Sequence, residues 1–304
     1  MFELPDIEHV VALALAEDLG VEASMLSPGS ALGSQLLKRD VTTSSTIDPD
    51  ATFAGAVVAR QSCVVAGLPV AAQTFEALSR AIGLFEPVEF FPLVPEGSHV
   101  APGTPVAEVE GLAAVVLAGE RTALDFLMVL SGIATTTAHW VALAQERFQV
   151  CDTRKTLPAL RELSKYAVRV GGGTNHRFGL HDMVLIKDNH LRHAGGITAA
   201  VGRARLRHPD LTVEVEADSV EQAVEAVRAA ADIVLLDNMD GAALAAAVAA
   251  CRSAATESGR PVLLELSGNV SAERLPELLE VGIDRVSSSA LTLARPVDFG
   301  LDEA

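Results

Sequence analysis

From about residue 150 onward, short apolar runs alternate with helical patterns, and this alternation restricts the fold more than any other feature of the sequence. Strands that alternate with helices of this length indicate βαβ units and a parallel sheet. Several consecutive units favour a barrel over an open doubly wound sheet, and six strands are clear. The six predicted strands lie in the segments "FQVCDTR", "DMVLIKDN", "LTVEVEAD", "ADIVLLDN", "PVLLELSG" and "IDRVSSSA".

A polar residue closes each of these runs. The C-terminal ends of barrel strands converge on one mouth, where active sites are built, so side chains far apart in sequence would meet there. Capping of the following helix is the simpler role for such a residue, and it accounts well for Asp218 or Ser271. It does not account for Lys187, because an ammonium group offers no acceptor to helix amides. The residues at the strand ends are Arg154, Lys187, Glu216, Asp237, Ser267 and Ser288.

The N-terminal part has a different pattern. A helix is predicted over residues 6–18, and residues 21–38 form a Ser/Gly-rich stretch with little periodicity, which we expect to be a loop. Strands, a helix and hairpins are predicted, in that order, by "TFAGAVVARQSCVVAG", "PVAAQTFEALSRAIG" and "VPEGSHVAPGTPVAEVEG". This order predicts a small α+β domain. A long helix, "AVVLAGERTALDFLMVL", then leads through a break at "SGIATTT" toward the barrel.

Positive charge is concentrated in one segment of an otherwise acidic chain. The formal net charge is −17, yet residues 151–190 hold seven of the 23 Lys and Arg residues beside four acids. So acidic a chain argues against nucleic acid as a partner, because phosphates need a broad basic face. A basic cluster in an acidic body suits a small multianionic ligand, since a pocket focuses positive potential. A solvated helix face is the alternative for Arg154, Arg161, Lys165, Arg169 and Arg177.

Three further features narrow the class of protein. No apolar run approaches the ~18 residues that a membrane-spanning helix needs. The N-terminus lacks a basic segment and has acids on both sides of its apolar stretch, so it predicts an amphipathic helix and not a signal peptide. Cys63, Cys151 and Cys251 are scattered and form no CxxC pair, which fits a reducing compartment. We therefore expect a cytoplasmic protein without a membrane or nucleic-acid partner.

Glycines and histidines accompany the cations of the basic segment. The run "GGGTN" lets the backbone approach a ligand closely just before His176 and Arg177. A Walker phosphate loop, GxxxxGK[ST], is absent, and no GxGxxG follows a strand here. Zinc is disfavoured, because no HExxH or Cys partner accompanies the histidines and cations flank them. The histidines of this region are His176, His181, His190 and His193.

Six motifs resemble, in order and spacing, those of the quinolinate phosphoribosyltransferases, also called carboxylating nicotinate-nucleotide pyrophosphorylases. They are "ERTALDFLMVLSGIAT", "DTRKTLPALRELSKYAVRVGGGTNHRFGL", "LIKDNH", "VEVEADSVEQA", "DIVLLDN" and "LELSGNVS", and the resemblance covers about residues 40–304. It implies an α/β fold in which an incomplete parallel barrel at 129–289 follows a smaller N-terminal α+β sandwich domain at 1–128. The tail 290–304 is expected to join that first domain. The resemblance also implies a homodimer with shared active sites.

By the same resemblance, quinolinate and phosphoribosyl pyrophosphate are converted to nicotinate mononucleotide, CO2 and pyrophosphate, with Mg2+, in de novo NAD biosynthesis. Breaking the bond to pyrophosphate builds positive charge on the ribose, which carboxylates stabilise, while cations stabilise the leaving group. Attack by the ring nitrogen gains from holding both substrates in line. The resulting pyridinium is an electron sink, so loss of the adjacent carboxylate needs no further cofactor.

The resemblance assigns roles to residues of this chain. Catalytic roles fall on Lys155, Lys187, Glu216 and Asp237. Quinolinate binding falls on Arg121, Thr153, Arg154, Lys155, His176, Arg177 and Lys187, with Arg121 placed in the neighbouring subunit's site. Phosphoribosyl pyrophosphate binding falls on Glu216, Asp237, Asn238, Ser267, Gly268, Asn269, Ser288 and Ser289. No metal ligand is firmly assigned, and Mg2+ is expected with the pyrophosphate near Glu216 and Asp237.

The chain departs from the family pattern in three places. Residues 21–38 separate "EDLG" from "RDVTT", so that Arg39 stands where Gly is usual. Asp125 replaces an Asn, and Ser289 replaces a Gly that normally approaches phosphate. A side chain at position 289 would occupy space beside that phosphate. None of the three changes removes a charged residue of the expected site.

Two other functions stay open at this point. One is a Schiff-base aldolase or isomerase on a phosphate-binding barrel, with Lys187 or Lys155 as the nucleophile, and it predicts trapping of a covalent adduct by borohydride. The other is a non-catalytic ligand-binding homologue of the same fold. It predicts substrate binding without release of CO2.

Overall fold

The computed structural model describes residues 2–26 and 33–304, which contain helices and strands throughout. The helices are α1 (Glu8–Leu19), α2 (Val41–Thr46), α3 (Leu68–Ile82), α4 (Ala113–Ala144), α5 (Arg161–Val170), α6 (Asp188–Ala194), α7 (Ile197–Arg207), α8 (Val220–Arg228), α9 (Gly241–Ser258) and α10 (Leu275–Leu278). The strands are β1 (Thr52–Ala59), β2 (Cys63–Val64), β3 (Glu89–Pro92), β4 (His99–Val100), β5 (Pro105–Leu112), β6 (Gln149–Cys151), β7 (Val184–Ile186), β8 (Val213–Ala217), β9 (Ile233–Asp237), β10 (Leu263–Ser267), β11 (Arg285–Ser287) and β12 (Phe299–Glu303).

By their internal contacts, the described residues divide into two compact units. The first contains the chain up to Thr136 together with Leu157–Gly171 and Ala294–Ala304. The second contains Thr137–Thr156 and Gly172–Leu293. The sequence-based boundary after residue 128 assigns α5 to the barrel. In the structure α5 joins the first unit, where the hydroxyl of Tyr166 donates to Glu96 at 2.9 Å.

The first unit is built on an antiparallel sheet with the strand order β12-β1-β5-β3. The last strand of the chain pairs with the first, with Gly55 opposite Glu303. Gly55 permits this pairing, because a Cβ there would clash with the backbone oxygen of Asp302. Helix α3 covers the sheet through Phe75, whose ring stacks on Phe90 at 6.0 Å between centroids. This is the small α+β domain that the sequence predicts.

Helix α4 is continuous over 32 residues, so the predicted break at "SGIATTT" is wrong. The hydroxyl of Ser131 accepts the backbone N–H of Ala66 at 2.9 Å and donates to its carbonyl at 3.1 Å. The hydroxyl of Thr135 likewise accepts the N–H of Val64 at 2.8 Å. At Gly132 a Cβ would clash with the backbone oxygen of Arg295. These small and polar residues therefore serve close packing within the first unit and do not end the helix.

The second unit contains a six-stranded parallel sheet with the order β6-β11-β10-β9-β8-β7. All six strands predicted from the sequence are present. In the described residues no ladder joins β6 to β7, and the sheet matches the incomplete barrel that we expected. The pairing register aligns Glu216 with Leu235 and Leu235 with Glu265. Because side chains alternate along a strand, these residues and those two positions away from them share one face of the sheet.

The stretch 21–38 is not a plain loop. Short 3-10 turns occupy Ala23–Leu26 and Gly33–Arg39, and residues 27–32 lie outside the described part of the chain. The guanidinium of Arg39 donates to the backbone oxygens of Leu19 at 3.1 Å and Gly20 at 2.8 Å, so it caps the C-terminal end of α1. Arg39 stands where the family pattern usually has Gly, and capping of this helix end gives the Arg side chain a structural role.

One of the helical patterns that alternate with the predicted strands, "SAERLPELLEVG", forms less helix than its periodicity predicts. It contains a 3-10 turn at Ala272–Arg274 and the single turn of α10, in which Pro276 lies in the first helical positions. Across residues 2–26 and 33–304, every helix falls short of the combination of length and hydropathy that crossing a bilayer requires.

Candidate active site

Cationic side chains line a small cavity at the carboxyl ends of the barrel strands. The cavity has a volume of about 160 Å³. Its lining brings together six residues that the sequence assigned to quinolinate, along with one serine assigned to phosphoribosyl pyrophosphate. We call it the cationic pocket, and it is lined by Thr153, Arg154, Lys155, His176, Arg177, Leu185, Lys187, Leu235, Ser267 and Ser287.

A second cavity in the same unit is acidic. Its volume is about 410 Å³, and we call it the acidic pocket. The side chains of Glu216 and Asp237, which the sequence assigned to catalysis, both line it, as do Asp188 and Asp218. Lys187 of the cationic pocket is ion-paired through its Nζ with Glu216 of the acidic pocket. The two pockets are therefore joined by one salt bridge.

The loops after β9 and β10 are tied together beside these pockets. The side-chain amide of Asn238 donates to Asp237 at 2.8 Å, and that of Asn269 donates to Asn238 at 3.0 Å. Gly268 has a φ of +82°, and a Cβ there would clash with Oδ1 of Asn238. Position 268 therefore requires glycine for both its backbone conformation and its surroundings.

The serines after β11 fold into a turn and do not line either pocket. The hydroxyl of Ser288 accepts the N–H of Ala290 at 3.2 Å, and the carbonyl of Ser289 accepts the N–H of Leu293 at 3.0 Å. The buried hydroxyl of Thr292 donates to the backbone oxygen of Lys155 at 2.7 Å. The turn thus fixes the backbone that carries a cation of the pocket. Thr292 was not identified from the sequence.

Asp152 fixes the loop that carries His176. Its fully buried carboxylate accepts the amide of Asn175 at 2.5 Å and the backbone N–H of His176 at 3.0 Å. A parallel bridge between Cys151 and Thr174 brings the two segments together. The run "GGGTNH" is therefore held by the strand end that precedes Arg154. Asp152 was also missed, although it lies inside the motif "CDTRKT".

A charged layer lies directly behind His176, and it too was not predicted from the sequence. Nε2 of His176 lies 3.1 Å from an oxygen of Glu214 and 3.4 Å from one of Glu265. Nε of Arg285 lies 3.4 Å from the other oxygen of Glu265. Both glutamates are fully buried, and the side chain of His176 is 7% exposed. The available signal was the alternation of Glu with Val in "VEVEA", which puts Glu214 and Glu216 on the same face of β8.

These contacts set the charge of His176. Burial alone would lower the pKa of His176, but hydrogen bonds to Glu214 and Glu265 outweigh it and raise the pKa to about 9. Burial has the opposite effect on Glu214: it raises the pKa of this carboxyl group, and the contact with His176 offsets part of the rise. The backbone N–H of Arg177 points at Nδ1 of His176 at 2.8 Å, which favours a neutral ring.

The charge of Glu214 and Glu265 has a larger effect on the protonation of His176 than the hydrogen bond from Arg177. A single local hydrogen bond contributes about 1 kcal/mol, whereas an uncompensated buried charge costs several kcal/mol. Two buried carboxylates beside Arg285 alone would leave one net negative charge, and an imidazolium at His176 cancels it. A cationic His176 would therefore complete the charge balance of the layer. The potential metal-ligand atoms of His176, Glu214 and Glu265 lie within 4.8 Å of one another. Arg285, however, already supplies the positive charge that a metal ion would bring.

His190, another histidine of the basic segment, orders the backbone at Lys187. The ring Nδ1 of His190 accepts the backbone N–H of Lys187 at 2.9 Å, and the backbone N–H of His190 donates to the Lys187 carbonyl at 2.8 Å. These reciprocal bonds begin α6 directly after the residue that links the two pockets. Among the described residues, the one His/acid cluster close enough for a metal is His176, Glu214 and Glu265.

The structure places Arg121 in the first unit. It lies on α4, its side chain is 58% exposed, and it pairs with Asp125 at 3.4 Å. It lines a groove of about 580 Å³ together with apolar residues of α1, α4 and α5, among them Leu13, Val129 and Leu163. Arg121 is not among the residues that line the cationic pocket of its own chain. Asp125, which replaces an Asn of the family pattern, is its ion-pair partner.

A cationic pocket beside an acidic one, at the carboxyl end of an incomplete parallel barrel, defines a barrel protein for small polyanionic substrates. The chain belongs to the quinolinate phosphoribosyl transferase family. The profile of that family's N-terminal domain matches residues 40–131, and the profile of its C-terminal domain matches residues 133–302.

Individual relatives agree with this membership. The chain is 43% identical over 236 residues to the probable carboxylating nicotinate-nucleotide pyrophosphorylase of Synechocystis sp., a match that covers 77% of this chain and 76% of that protein. It is 38% identical over 252 residues to the human carboxylating nicotinate-nucleotide pyrophosphorylase, covering 81% and 80% of the two chains. The crystal structure of NadC from Streptococcus pyogenes superposes with a TM-score of 0.85 at 33% identity and covers 100% of both chains.

Proposed function

We propose that this protein is a quinolinate phosphoribosyltransferase that converts quinolinate and phosphoribosyl pyrophosphate to nicotinate mononucleotide, CO2 and pyrophosphate in NAD biosynthesis. The observation that carries the proposal is the convergence of Arg154, Lys155, Arg177 and Lys187 on one small cavity. Its occupant must be small and must carry more than one negative charge, because a ligand that desolvates several cations has to balance their charge. Quinolinate, a planar dianion, meets both requirements.

The arginines and the lysines have separate tasks in this proposal. Arg154 and Arg177 present planar forks that match carboxylates, so they bind and orient the pyridine dicarboxylate. Lys155 and Lys187 act as point charges between the dicarboxylate and the departing pyrophosphate. Holding the ring nitrogen in line with C1 of the ribose lowers the entropy cost of attack.

The acidic pocket suits the ribose, because positive charge grows on the sugar as the bond to pyrophosphate breaks. Glu216 and Asp237, which both line this pocket, would stabilise that charge. Their carboxylate oxygens are also the ligands that Mg2+ prefers, so we assign the metal to these two residues. Mg2+ neutralises pyrophosphate when it is bound. Gly268, Asn269, Ser288 and Ser289 would present backbone amides and hydroxyls to the 5′-phosphate.

A homodimer with shared sites completes the proposal. Arg121 is exposed in the first unit beside an apolar groove, and Leu13 on the rim of that groove is 55% exposed. A second copy of the chain would cover these apolar residues and receive Arg121 as a further cation for its dicarboxylate. The cysteines Cys63, Cys151 and Cys251 are free and buried, which supports a cytoplasmic location.

The Schiff-base alternative is not favoured by the geometry. Lys187 is ion-paired with Glu216, and an ammonium group held by a carboxylate is not a nucleophile. Lys155 lies among other cations of the pocket, on a turn whose backbone is fixed by Thr153 and Thr292. No specific observation favours loss of turnover either, since both acids and all four cations line their pockets.

Incubation of the purified protein with quinolinate, phosphoribosyl pyrophosphate and Mg2+ tests the proposal. We expect nicotinate mononucleotide and one CO2 per turnover from quinolinate labelled in the 2-carboxyl group. Chelation of Mg2+ should reduce the rate, and an Asp237→Asn variant gives the background. Binding of both substrates without product would identify a non-catalytic homologue. A borohydride-trapped adduct on Lys187 would identify the aldolase alternative.

A further inference from the structure

The charged layer behind the cationic pocket is unusual for the interior of a parallel barrel, which is ordinarily filled by branched apolar side chains. Glu214, Glu265 and Arg285 project from three different strands, β8, β10 and β11. Both carboxylates are fully buried. Replacing such an ion cluster with apolar residues is often neutral or stabilising, so stability alone does not account for it.

The charged layer reaches the pocket through one side chain. His176 is the member that both contacts the two glutamates and lines the cationic pocket. Its backbone is fixed from a third direction by Asp152 at 3.0 Å. Nε2 of the imidazole therefore lies within ion-pair distance of the layer, and the residue also lines the pocket.

The other charges around His176 oppose its protonation. Arg177 follows it in the chain, and burial, together with the nearby charge of Arg154, lowers the pKa of the Arg177 guanidinium. Lys155 and Lys187 line the same cavity. A histidine among four cations would be neutral without a compensating negative charge. Glu214 and Glu265 supply that charge from beneath, while Arg285 balances the second carboxylate.

We propose that Glu214 and Glu265 are positioning residues for quinolinate binding: they hold Nε2–H of His176 and keep its ring cationic in the wall of the pocket. The imidazolium then adds a fifth positive charge to the site of a dianion, and its strength depends on two residues that do not contact the ligand. The inference rests on the proposed function in taking quinolinate as the ligand. It extends that function by naming what sets the affinity of the pocket.

The first experiment titrates His176 itself in the ligand-free protein. With 13C-labelled histidine, the ring resonance is assigned by its absence in His176→Gln. We expect the wild-type ring to titrate near pH 9. In Glu214→Gln, and separately in Glu265→Gln, we expect the midpoint about one pH unit or more lower. A wild-type midpoint at or below that of free histidine would overturn the proposal, and this measurement does not depend on enzymatic turnover.

The second experiment measures quinolinate binding by calorimetry at pH 8.5. We expect the dissociation constant to rise about tenfold or more in Glu214→Gln, because a neutral His176 no longer attracts the carboxylates of the ligand. The kinetic effect should lie in KM for quinolinate and much less in kcat. Glu96→Gln is the control, since it neutralises a half-buried carboxylate of the first unit that accepts from Tyr166. We expect it to change stability and not affinity.

The outcomes are distinct. A folded Glu214→Gln whose quinolinate affinity and His176 titration both match the wild type would assign the glutamates a purely structural role and overturn the proposal. If wild-type protein neither binds quinolinate nor forms nicotinate mononucleotide, the proposed function fails. The titration of His176 in ligand-free protein still decides whether the two glutamates keep the ring cationic.

Discussion

Lys187 and Glu216 form an ion pair that connects a pocket of positive charge to a pocket of negative charge. Lys187 directly follows β7, Glu216 lies in β8, and these strands are neighbours in the parallel sheet. The side chain of Glu216 is 16% exposed and that of Lys187 is 43% exposed. In the proposed function quinolinate takes the cation of this pair and ribose takes the carboxylate, so the ion pair opposes the binding of either substrate alone.

We expect Glu216→Gln to bind quinolinate more tightly than the wild type while it turns over more slowly. Removing the competing carboxylate frees Lys187, and a partly exposed pair contributes up to about 1 kcal/mol, so the gain should be roughly two- to fivefold. The loss of charge stabilisation at the ribose should lower kcat about 100-fold. Calorimetry with quinolinate alone and steady-state kinetics measure the two effects.

Asp218→Asn is the control for this prediction, because Asp218 lines the same acidic pocket and is not the ion-pair partner of Lys187. If both variants tighten quinolinate binding equally, the effect is one of net charge and the competition by Glu216 is refuted.

Gly268→Ala should disable the site more than it destabilises the fold. The left-handed φ costs about 1–2 kcal/mol for an Ala, and the new Cβ would also clash with the side chain of Asn238. Asn238 would have to move, and with it the side chain of Asp237 to which it donates. We expect kcat/KM to fall at least about tenfold.

Gly259→Ala is the control for Gly268→Ala, because it introduces the same kind of backbone strain without displacing a neighbouring side chain. Gly259 ends α9 with a φ of +66°, and a Cβ at this position would have no atom of the described residues within 4 Å. The variant should lose about 1 kcal/mol in urea unfolding and keep its activity. Equal activity of Gly268→Ala and Gly259→Ala would show that displacing the side chain of Asn238 has no effect on catalysis.

Stability should fall as pH rises from 6.5 to 9. The folded pKa of His176 is raised from 6.5 to about 9, so its contribution is complete below pH 6.5 and is lost as pH approaches 9. The loss is on the order of 3 kcal/mol. Burial raises the pKa of the Cys63 and Cys251 thiols from 9.0 to about 11, so these groups act only at higher pH. Urea unfolding at intervals across this window measures the slope, and His176→Gln should flatten it. A wild-type slope equal to that of the variant contradicts the assignment.

Nicotinate should be a poor substrate. It has one carboxylate, so it would bring a single negative charge to a pocket that Arg154, Arg177 and Lys187 line together. We expect kcat/KM for nicotinate to be lower than that for quinolinate by at least about 100-fold, because a cation desolvated without a matching anion is costly. Competition assays with both substrates give the ratio directly. A ratio near one would mean that the pocket does not recognise the second carboxylate.

The six strands and their polar ends could be predicted because both depend on local patterns, the apolar runs and the residues that close them. The continuity of α4 could not be predicted, because it depends on contacts between residues far apart in the sequence. Ser131 and Thr135 bond to backbone groups of Ala66 and Val64, which are 65 and 71 positions earlier in the chain. A Ser–Gly pair inside a helical pattern looks like a break until that packing is known.

The charged layer was missed for a related reason. A Glu that alternates with Val in a strand usually faces water, and only the curvature of a barrel turns that face inward. Glu216 was identified because it lies at a strand end, whereas Glu214 lies two residues deeper on the same face. Its partner His176 is 38 positions earlier in the chain, and spacing gives no sign of their contact.

Arg121 is exposed in its own chain and pairs with Asp125. If it serves the neighbouring subunit, two inactive proteins should restore activity when mixed. Arg121→Ala and Glu216→Ala are dissociated together and allowed to reassociate. Each mixed dimer then has one intact site and one site with both lesions. Random pairing makes half of the dimers mixed, so about a quarter of wild-type activity should return. If Arg121 acts within its own chain, every site keeps one lesion and no activity appears, even after subunit exchange has been demonstrated by mass spectrometry.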